Sequence, residues 1–436
     1  MLLPGLGLVS ALPAQEGPLT VSQAVKVSLE KHPDIGKQVA QADILKGQVR
    51  EVRAQALPEL TITSSVMRWR DPSLLNASGL DQFPPELISV LVPVPVNLVD
   101  YGIGLKQPLY TAGKVGTALK LASIESEGAF IDIDRAQHDL SLEVVKAFYR
   151  LLLAGRYRQL IDEIHEQRKQ QAELARTRYQ HGVATEVEVL RFDVAVANSA
   201  VEVVEAQNNI RQARAQLNYY LVRSIDEPTE IEGDFTQIPW DEWNLAELEK
   251  EAIRRRPDLH RLRVAERSAQ TRVDLAKAES KMRLDFNGSV GITSRYASNL
   301  ANPEYGRWNV GVNFSLPVFD GFRRSGLVWQ ATAAQRATSL EREKAEQQVR
   351  LQLQQGLDAI RAANETITAA RASVNQGERV FTMTQNNYKY GAASVLDLLD
   401  AQLALLVART NLLRGQHADT IARATLRWTL GRTPWE

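Results

Sequence analysis

Two stretches of this 436-residue sequence carry the same turn motif, 209 positions apart. In Tyr179–Val194 and in Tyr388–Leu413, a Tyr stands three residues before a Gly, and a carboxylate follows six residues after that Gly. A Gly lets a helix end in a left-handed conformation, and Thr185 and Ser394 can cap the helix that follows. The repetition predicts two helical hairpins in one duplicated architecture, rather than several unrelated domains.

Composition narrows the classes of function. The 52 basic and 52 acidic residues balance, so no nucleic-acid partner is expected. Because the sequence has no Cys, disulfides and thiolate metal sites are excluded. The six histidines are scattered, and His165-Glu166 lacks a second His four residues after the first, where Lys169 stands. With no Gly-rich phosphate loop after a strand either, we expect no enzyme, no cofactor and no metal site.

Residues 1–18 are predicted to be a leader. Met1–Ala14 is apolar and ends in small residues, like the last part of a secretory signal, but it lacks the basic start of one. A disordered tail rich in Gly and Pro is the alternative interpretation.

Proline positions mark the two repeats. Pro33-Asp34 and Pro257-Asp258 each follow a short helical pattern and open another helix. The first repeat is predicted at 19–231, with a strand hairpin at 58–108 and a coiled-coil hairpin at 113–222. The second is predicted at 232–431, with a strand hairpin at 283–317 and a coiled-coil hairpin at 320–430.

Within each repeat the hydrophobic period changes from about 3.6 to 2. Leu284–Thr293 and Trp308–Leu316 alternate apolar residues with Asn, Ser, Thr and Gly, and the first repeat has a matching pair in Leu60–Val66 and Tyr101–Gln107. This alternation predicts four antiparallel strands with one apolar face and one face of small polar residues.

Each strand hairpin is followed by about 65 to 70 residues without proline, enough for a continuous helix of roughly 100 Å. The helix returning from the second turn carries two apolar stripes side by side, one starting at Leu396 and the other at Val395. A helix with two apolar stripes has two neighbours, as in a wall or a closed ring.

Four strands cannot close a barrel, and an open sheet cannot lie in lipid because its edge groups would lack hydrogen bonds. Closure therefore requires several chains. Two chains would give eight strands, whose interior is filled by side chains, so an open pore needs at least three chains and twelve strands.

At this point the chain resembles the TolC-type outer-membrane channels, also called outer-membrane factors. The resemblance covers about residues 19 to 431, and its most specific part is Tyr388-x-x-Gly391-x-x-Ser394-x-x-Asp397-x-Leu399-Asp400-Ala401. The strand ends Pro108-Leu109-Tyr110 and Pro317-Val318-Phe319 support it. The resemblance implies a mainly α fold with a small antiparallel β part, in a homotrimer with a twelve-stranded barrel and a helical periplasmic tunnel.

Function and location follow from the same resemblance. It implies a passive exit duct for small molecules in the outer membrane of a Gram-negative-type cell, surrounded by outer-membrane lipid and extending into the periplasm. The duct would work with a periplasmic adaptor protein and an inner-membrane pump.

The resemblance also assigns roles at the turns. Asp397 and Asp400 match the aspartates that ring the periplasmic constriction, and Tyr388 and Glu188 match a hydrogen-bond pair that closes it between neighbouring hairpins. The Arg that strengthens closure in well-known members is replaced here by Ala393. The tips expected to contact the adaptor are Gly182, Val183, Ala184, Gly391, Ala392 and Ala393.

Three alternatives stay open from the residues. The duct could serve type I protein secretion instead of small-molecule efflux. From a different class, the chain could be a soluble periplasmic adaptor or a coiled-coil scaffold, although an adaptor would have one hairpin flanked by β-rich domains. Neither the transported substrate nor the class of pump is indicated.

Overall fold

A computed structural model describes residues 17–69, 84, 96–235 and 244–435. Most of the predicted leader, residues 1–16, lies outside the described residues. The described helices are α1 (Val21–Lys31), α2 (Pro33–Ala54), α3 (Lys114–Gln180), α4 (Glu186–Leu221), α5 (Leu245–Arg255), α6 (Pro257–Ala278), α7 (Arg323–Lys389) and α8 (Val395–Thr429). The strands are β1 (Glu59–Trp69), β2 (Val96–Tyr110), β3 (Arg283–Ser294) and β4 (Gly306–Ser315). The predicted mainly α fold with a small antiparallel β part is confirmed.

Short helices precede long ones at equivalent places in the two halves. α1 begins at a capping box in which Thr20 and Gln23 satisfy each other's backbone groups, and α5 begins at the N-cap Asn244. α2 and α6 then begin at Pro33 and Pro257. Proline suits the first helical position because its φ is already helical and the missing N–H would have no partner there.

The four strands form one antiparallel sheet in the order β1-β2-β3-β4. The β2–β3 pair joins the two strand hairpins, and in its register Gly102 lies opposite Gly291. A Cβ atom at Gly102 would stand 2.8 Å from the carbonyl oxygen of Val290, so these strands approach closely only because both positions are glycine. Sequence alternation predicted the strands, but not this central pairing.

One face of the sheet is apolar and exposed, and the other is polar. Trp308, in β4, is 77% exposed and lies among exposed valines and Phe314. On the opposite face Asp100 accepts a hydrogen bond from Thr293 and one from Arg307, at 2.5 and 2.7 Å. Within the described residues β1 and β4 each have one partner strand, so the sheet keeps two open edges.

The chain divides into two compact units, each containing parts of both sequence repeats. One unit comprises residues up to Ala40, Phe130–Arg261 and the chain from Arg342 onward. The other comprises Gln41–Ala129 and Leu262–Glu341, and it contains the sheet. This is a different division from the predicted repeats, whose boundaries stay a prediction.

The first of these units has its own apolar core. Val25 of α1, Phe148 of α3 and Leu217 of α4 are almost completely buried together. Burial of a side chain of this size contributes about 1.5–3 kcal/mol relative to exposure. None of the described helices combines the length and the apolar character that spanning a bilayer requires.

Candidate gate at the helical hairpin tips

The turns between α3 and α4 and between α7 and α8 are built alike. Gly182 and Gly391 adopt φ angles of 74° and 78°, in the left-handed region that favours glycine. The next amide folds back across the helix end, from Val183 to the carbonyl of Arg178 at 2.9 Å and from Ala392 to that of Asn387 at 2.8 Å. These are the hydrogen bonds of a Schellman motif, which ends a helix sharply.

Both returning helices start at a hydroxyl cap. The Thr185 hydroxyl accepts a hydrogen bond from the Glu188 amide at 3.3 Å, and the Ser394 hydroxyl accepts one from the Asp397 amide at 3.2 Å. The second cap is reciprocal, because the Asp397 carboxylate accepts from the Ser394 amide at 2.9 Å and from its hydroxyl at 2.7 Å. These hydrogen bonds lower the pKa of Asp397, so its charge is stabilised at the first turn of α8.

Asp400 lies three residues beyond Asp397, which places both acids on the same side of α8. Both side chains are exposed. In the described part of the chain, no hydrogen bond or ion pair engages the Asp400 carboxylate. The two predicted gate acids therefore lie next to each other on an accessible face, one held by its cap and one free to meet another charged group.

Tyr388 is in a different environment from these acids. It is only 3% exposed and packs in an apolar cluster with Phe192, whose ring centroid lies 5.8 Å from its own in an edge-on arrangement. The cluster also contains Ala172, Ala175, Phe381, Val395, Leu398, Ala401 and Leu405. Burial raises the pKa of Tyr388, the Arg178 guanidinium opposes that rise, and the Glu188 carboxylate adds to it. The Tyr388 side chain is therefore neutral at ordinary pH.

Arg178 is a residue of this site that sequence reasoning missed. Its guanidinium donates a hydrogen bond to the carbonyl oxygen of Tyr388 at 2.9 Å and lies 4.9 Å from the centroid of the Tyr388 ring. It therefore connects the end of α3 to the end of α7. The only signal in the sequence is a cation directly before the motif residue Tyr179, and at the matching place in the second turn stands Asn387.

The structure brings Glu188 near Tyr388 without bonding the two side chains. Glu188 is half-buried in the first turn of α4. Among the described residues the Tyr388 hydroxyl has no hydrogen-bond partner. A hydrogen bond from Tyr388 to a carboxylate of another chain's hairpin stays a prediction.

The predicted adaptor-contacting tips differ in accessibility. Gly182, Val183, Gly391 and Ala392 are exposed, and Val183 shows 64% of its surface. Ala184 and Ala393 are half-buried, and Ala393 packs against the cluster around Tyr388. Their contact with an adaptor stays a prediction. No group of three or more His, Asp or Glu residues within the described ranges is placed to hold a metal ion.

Solved structures of outer-membrane proteins have a fold similar to that of this chain. The chain matches the CmeC outer membrane channel of Campylobacter jejuni with a TM-score of 0.81 at 17% identity, covering 94% of this chain and 85% of that one. It matches the outer membrane protein VceC of Vibrio cholerae with a TM-score of 0.77 at 18% identity, covering 95% and 97%. These matches show that the chain has the fold of outer-membrane channel proteins.

The outer membrane efflux protein family matches residues 24–221 and 248–432, and the chain belongs to that family. It is 24% identical to the outer membrane protein TolC of Escherichia coli, over 99% of this chain and 85% of that protein. It is 21% identical to a protein of Pseudomonas putida described as a probable efflux pump outer membrane protein, TtgC, over 94% and 82%. The predicted resemblance and outer-membrane location are confirmed.

Proposed function

We propose that this chain is the outer-membrane exit duct of a tripartite efflux system, passing small molecules out of the periplasm without hydrolysing nucleotide or carrying protons. The observation that carries the proposal is the pair of capped hairpin tips, one of which presents two exposed carboxylates. Membership of the outer membrane efflux protein family supports it. The same membership favours a duct over a soluble adaptor or a scaffold.

The sheet supports assembly as a homotrimer. In the described part of the chain the sheet has four strands, an exposed apolar face and two open edges. Three copies would pair β1 of one chain with β4 of the next and give twelve strands, the next multiple of four above the eight-stranded barrel, whose interior is filled by side chains. The apolar face would then meet outer-membrane lipid, and the polar face with Asp100 would line the lumen.

Three-fold symmetry would bring Asp397 and Asp400 of three chains around one axis. A ring of six carboxylates attracts cations, repels anions and resists closure, so other contacts have to hold the gate shut until a partner opens it. The exposed residues Gly182, Val183, Gly391 and Ala392 are the surface offered to a periplasmic adaptor, and an inner-membrane pump would supply the energy.

Relatives differ in what they export. One relative, at 25% identity over 64% of this chain, is described as the pyoverdine export outer membrane protein OpmQ of Pseudomonas aeruginosa. Such descriptions favour small-molecule efflux over type I protein secretion for this chain.

Single-channel conductance in planar bilayers tests the duct and its gate. We expect the native protein to form small, cation-selective openings that a trivalent cation blocks from the helical side. The Asp397→Ala/Asp400→Ala variant should lose both selectivity and block. Identical block in the variant would locate the gate elsewhere, and a protein that stays monomeric without forming channels would contradict the duct itself.

A further inference from the structure

The segment that joins β4 to α7 and the first two turns of α7 expose large apolar side chains. We call residues 317–329 the second junction. Val318 is 92% exposed, Phe319 78%, Phe322 75% and Trp329 79%. They follow the exposed apolar residues Phe314 and Leu316 along the chain, and a cluster of exposed apolar side chains of this kind marks an interaction site.

The backbone at Phe322 has an unusual conformation, and its ring is exposed. Phe322 has a φ of 66°, a left-handed conformation that is an outlier for a bulky residue. Its ring lies edge-on to that of Phe319, with centroids 5.9 Å apart. A strained residue that also exposes an aromatic ring indicates that the ring has a partner outside the chain.

Two arginines, Arg323 and Arg324, come directly after Phe322 in the sequence. Arg323 and Arg324 are exposed, and neither side chain forms a hydrogen bond or an ion pair with any residue that the structure describes. The nearest acid in sequence, Asp320, is already engaged, since it accepts from the Arg324 amide at 3.0 Å and from the Ser280 hydroxyl at 3.3 Å. The two guanidinium groups are therefore available to an external anion.

The matching segment of the first repeat lacks this arrangement. Counted from Pro108 and Pro317, Lys114 corresponds to Arg323 and Val115 to Arg324. Lys114 is neutralised within the chain by Glu279, at 2.7 Å. The position of Phe322 is occupied by Gly113. The aromatic pair with unpaired arginines thus belongs to one junction alone.

We propose that the second junction anchors the protein in the periplasm-facing leaflet by binding an anionic glycerophospholipid. Phe319, Phe322 and Trp329 would lie at the depth of the headgroups, where aromatic side chains are favoured, and Arg323 and Arg324 would bind the phosphate. Arg suits phosphate because its planar fork of donors can form two parallel hydrogen bonds. This proposal rests on the proposed function, since it requires the sheet to lie in the outer membrane.

Native mass spectrometry of the detergent-purified protein tests the anchor, with palmitoyl-oleoyl phosphatidylglycerol and the corresponding phosphatidylethanolamine as probes. We expect the native protein to retain phosphatidylglycerol preferentially. In the double variant Arg323→Gln/Arg324→Gln, each arginine removed should weaken phosphatidylglycerol retention about fivefold. Retention of phosphatidylethanolamine should not change. The matched control Lys114→Gln should change neither. Equal retention of phosphatidylglycerol by the double variant and the native protein would overturn the proposal.

Further arms of the experiment distinguish other occupants. Displacement of phosphatidylglycerol by excess inorganic phosphate would assign the cations to a free anion instead of a lipid. A double variant with a changed oligomeric mass but unchanged lipid retention would assign the junction to a contact between chains. Conductance is recorded on the same preparations: channels without any lipid preference refute the anchor and leave the duct standing, whereas absence of channels contradicts the duct itself.

Discussion

The two hairpin tips have the same Tyr-x-x-Gly turn, but their tyrosines lie in opposite environments. Tyr179 of the first tip is 47% exposed, whereas Tyr388 of the second is 3% exposed. Tyr388 contacts Phe192 from the first hairpin. Arg178 donates a hydrogen bond to the Tyr388 carbonyl and lies over the Tyr388 ring. Tyr179 has no equivalent ring or guanidinium contact in the described residues.

The comparison shows that a motif fixes the turn and not the role of each residue in it. Gly and the hydroxyl caps act through the local backbone, so both copies behave alike. The ring of the tyrosine contacts whatever packs against it, so the copies differ. The second tip is consequently the one tied to its neighbour, and it also carries the exposed acids.

The largest expected effect comes from truncating the buried tyrosine. Tyr388→Ala should lower the free energy of local opening of residues 381–398 by about 3–5 kcal/mol, the usual cost of removing a buried aromatic ring. Tyr388→Phe should cost far less, because the hydroxyl has no partner in the described chain. Hydrogen–deuterium exchange of the tip amides measures both.

The matched variant is Tyr179→Ala, for which we expect a change within about 0.5 kcal/mol, as for an exposed position. A cost as large as that of Tyr388→Ala would end the contrast between the tips. It would mean that another chain covers Tyr179 in the assembled protein.

A smaller effect is expected at Arg178. Arg178→Met removes a charged hydrogen bond and a cation–π contact. We expect the free energy of local opening to fall by about 1–2 kcal/mol at both tips. The control is Arg176→Met, which removes surface ion pairs to Glu173 and Asp193 that contribute little. If both variants behave alike in the exchange experiment, Arg178 does not tie the hairpins together.

The smallest effect concerns the caps. Ser394→Ala should cost about 1 kcal/mol and return the pKa of Asp397 toward its ordinary value near 3.8. Because the folded-state pKa lies below the unfolded value, the reciprocal cap is complete above about pH 4 and is lost as the pH falls through the folded value. Thr185→Ala lacks this pH-dependent part, since that cap is not reciprocal.

Titrating the cation selectivity of the channel gives the readout. The native protein should keep its selectivity to a lower pH than Ser394→Ala, and Thr185→Ala should follow the native curve. Superimposable curves for all three proteins would mean that the cap of Asp397 does not influence the charge of the proposed gate.

Much of the fold could be predicted because its signals are local. Alternation between apolar and small polar residues marked the strands around Phe286 and Val312, and a long stretch without proline marked α7. The pairing of β2 with β3 could not be read this way, because it joins Gly102 to Gly291 across 189 positions. Residues that far apart come together only through the packing of the whole unit.

In the candidate site, too, local features were predicted from the sequence and a contact between distant residues was not. The predicted role of Asp397 and Asp400 came from the family resemblance, and the structure places both on an exposed helical face. The reciprocal bond between Asp397 and Ser394 is a local capping signal. Arg178 was missed because its partner Tyr388 is 210 residues away and no periodicity links them.

The sequence by itself determined the duplicated turns, the capped helices, the two-faced strands and the family, since each depends on neighbouring residues or on a contiguous pattern. Only the tertiary structure decided that Tyr388 is buried while Tyr179 is not, that Arg178 reaches the second hairpin, and that Arg323 and Arg324 lack the ion pair that Lys114 has. These properties depend on which surfaces meet, and the free energy of burial and of charge pairing is set by atoms distant in sequence.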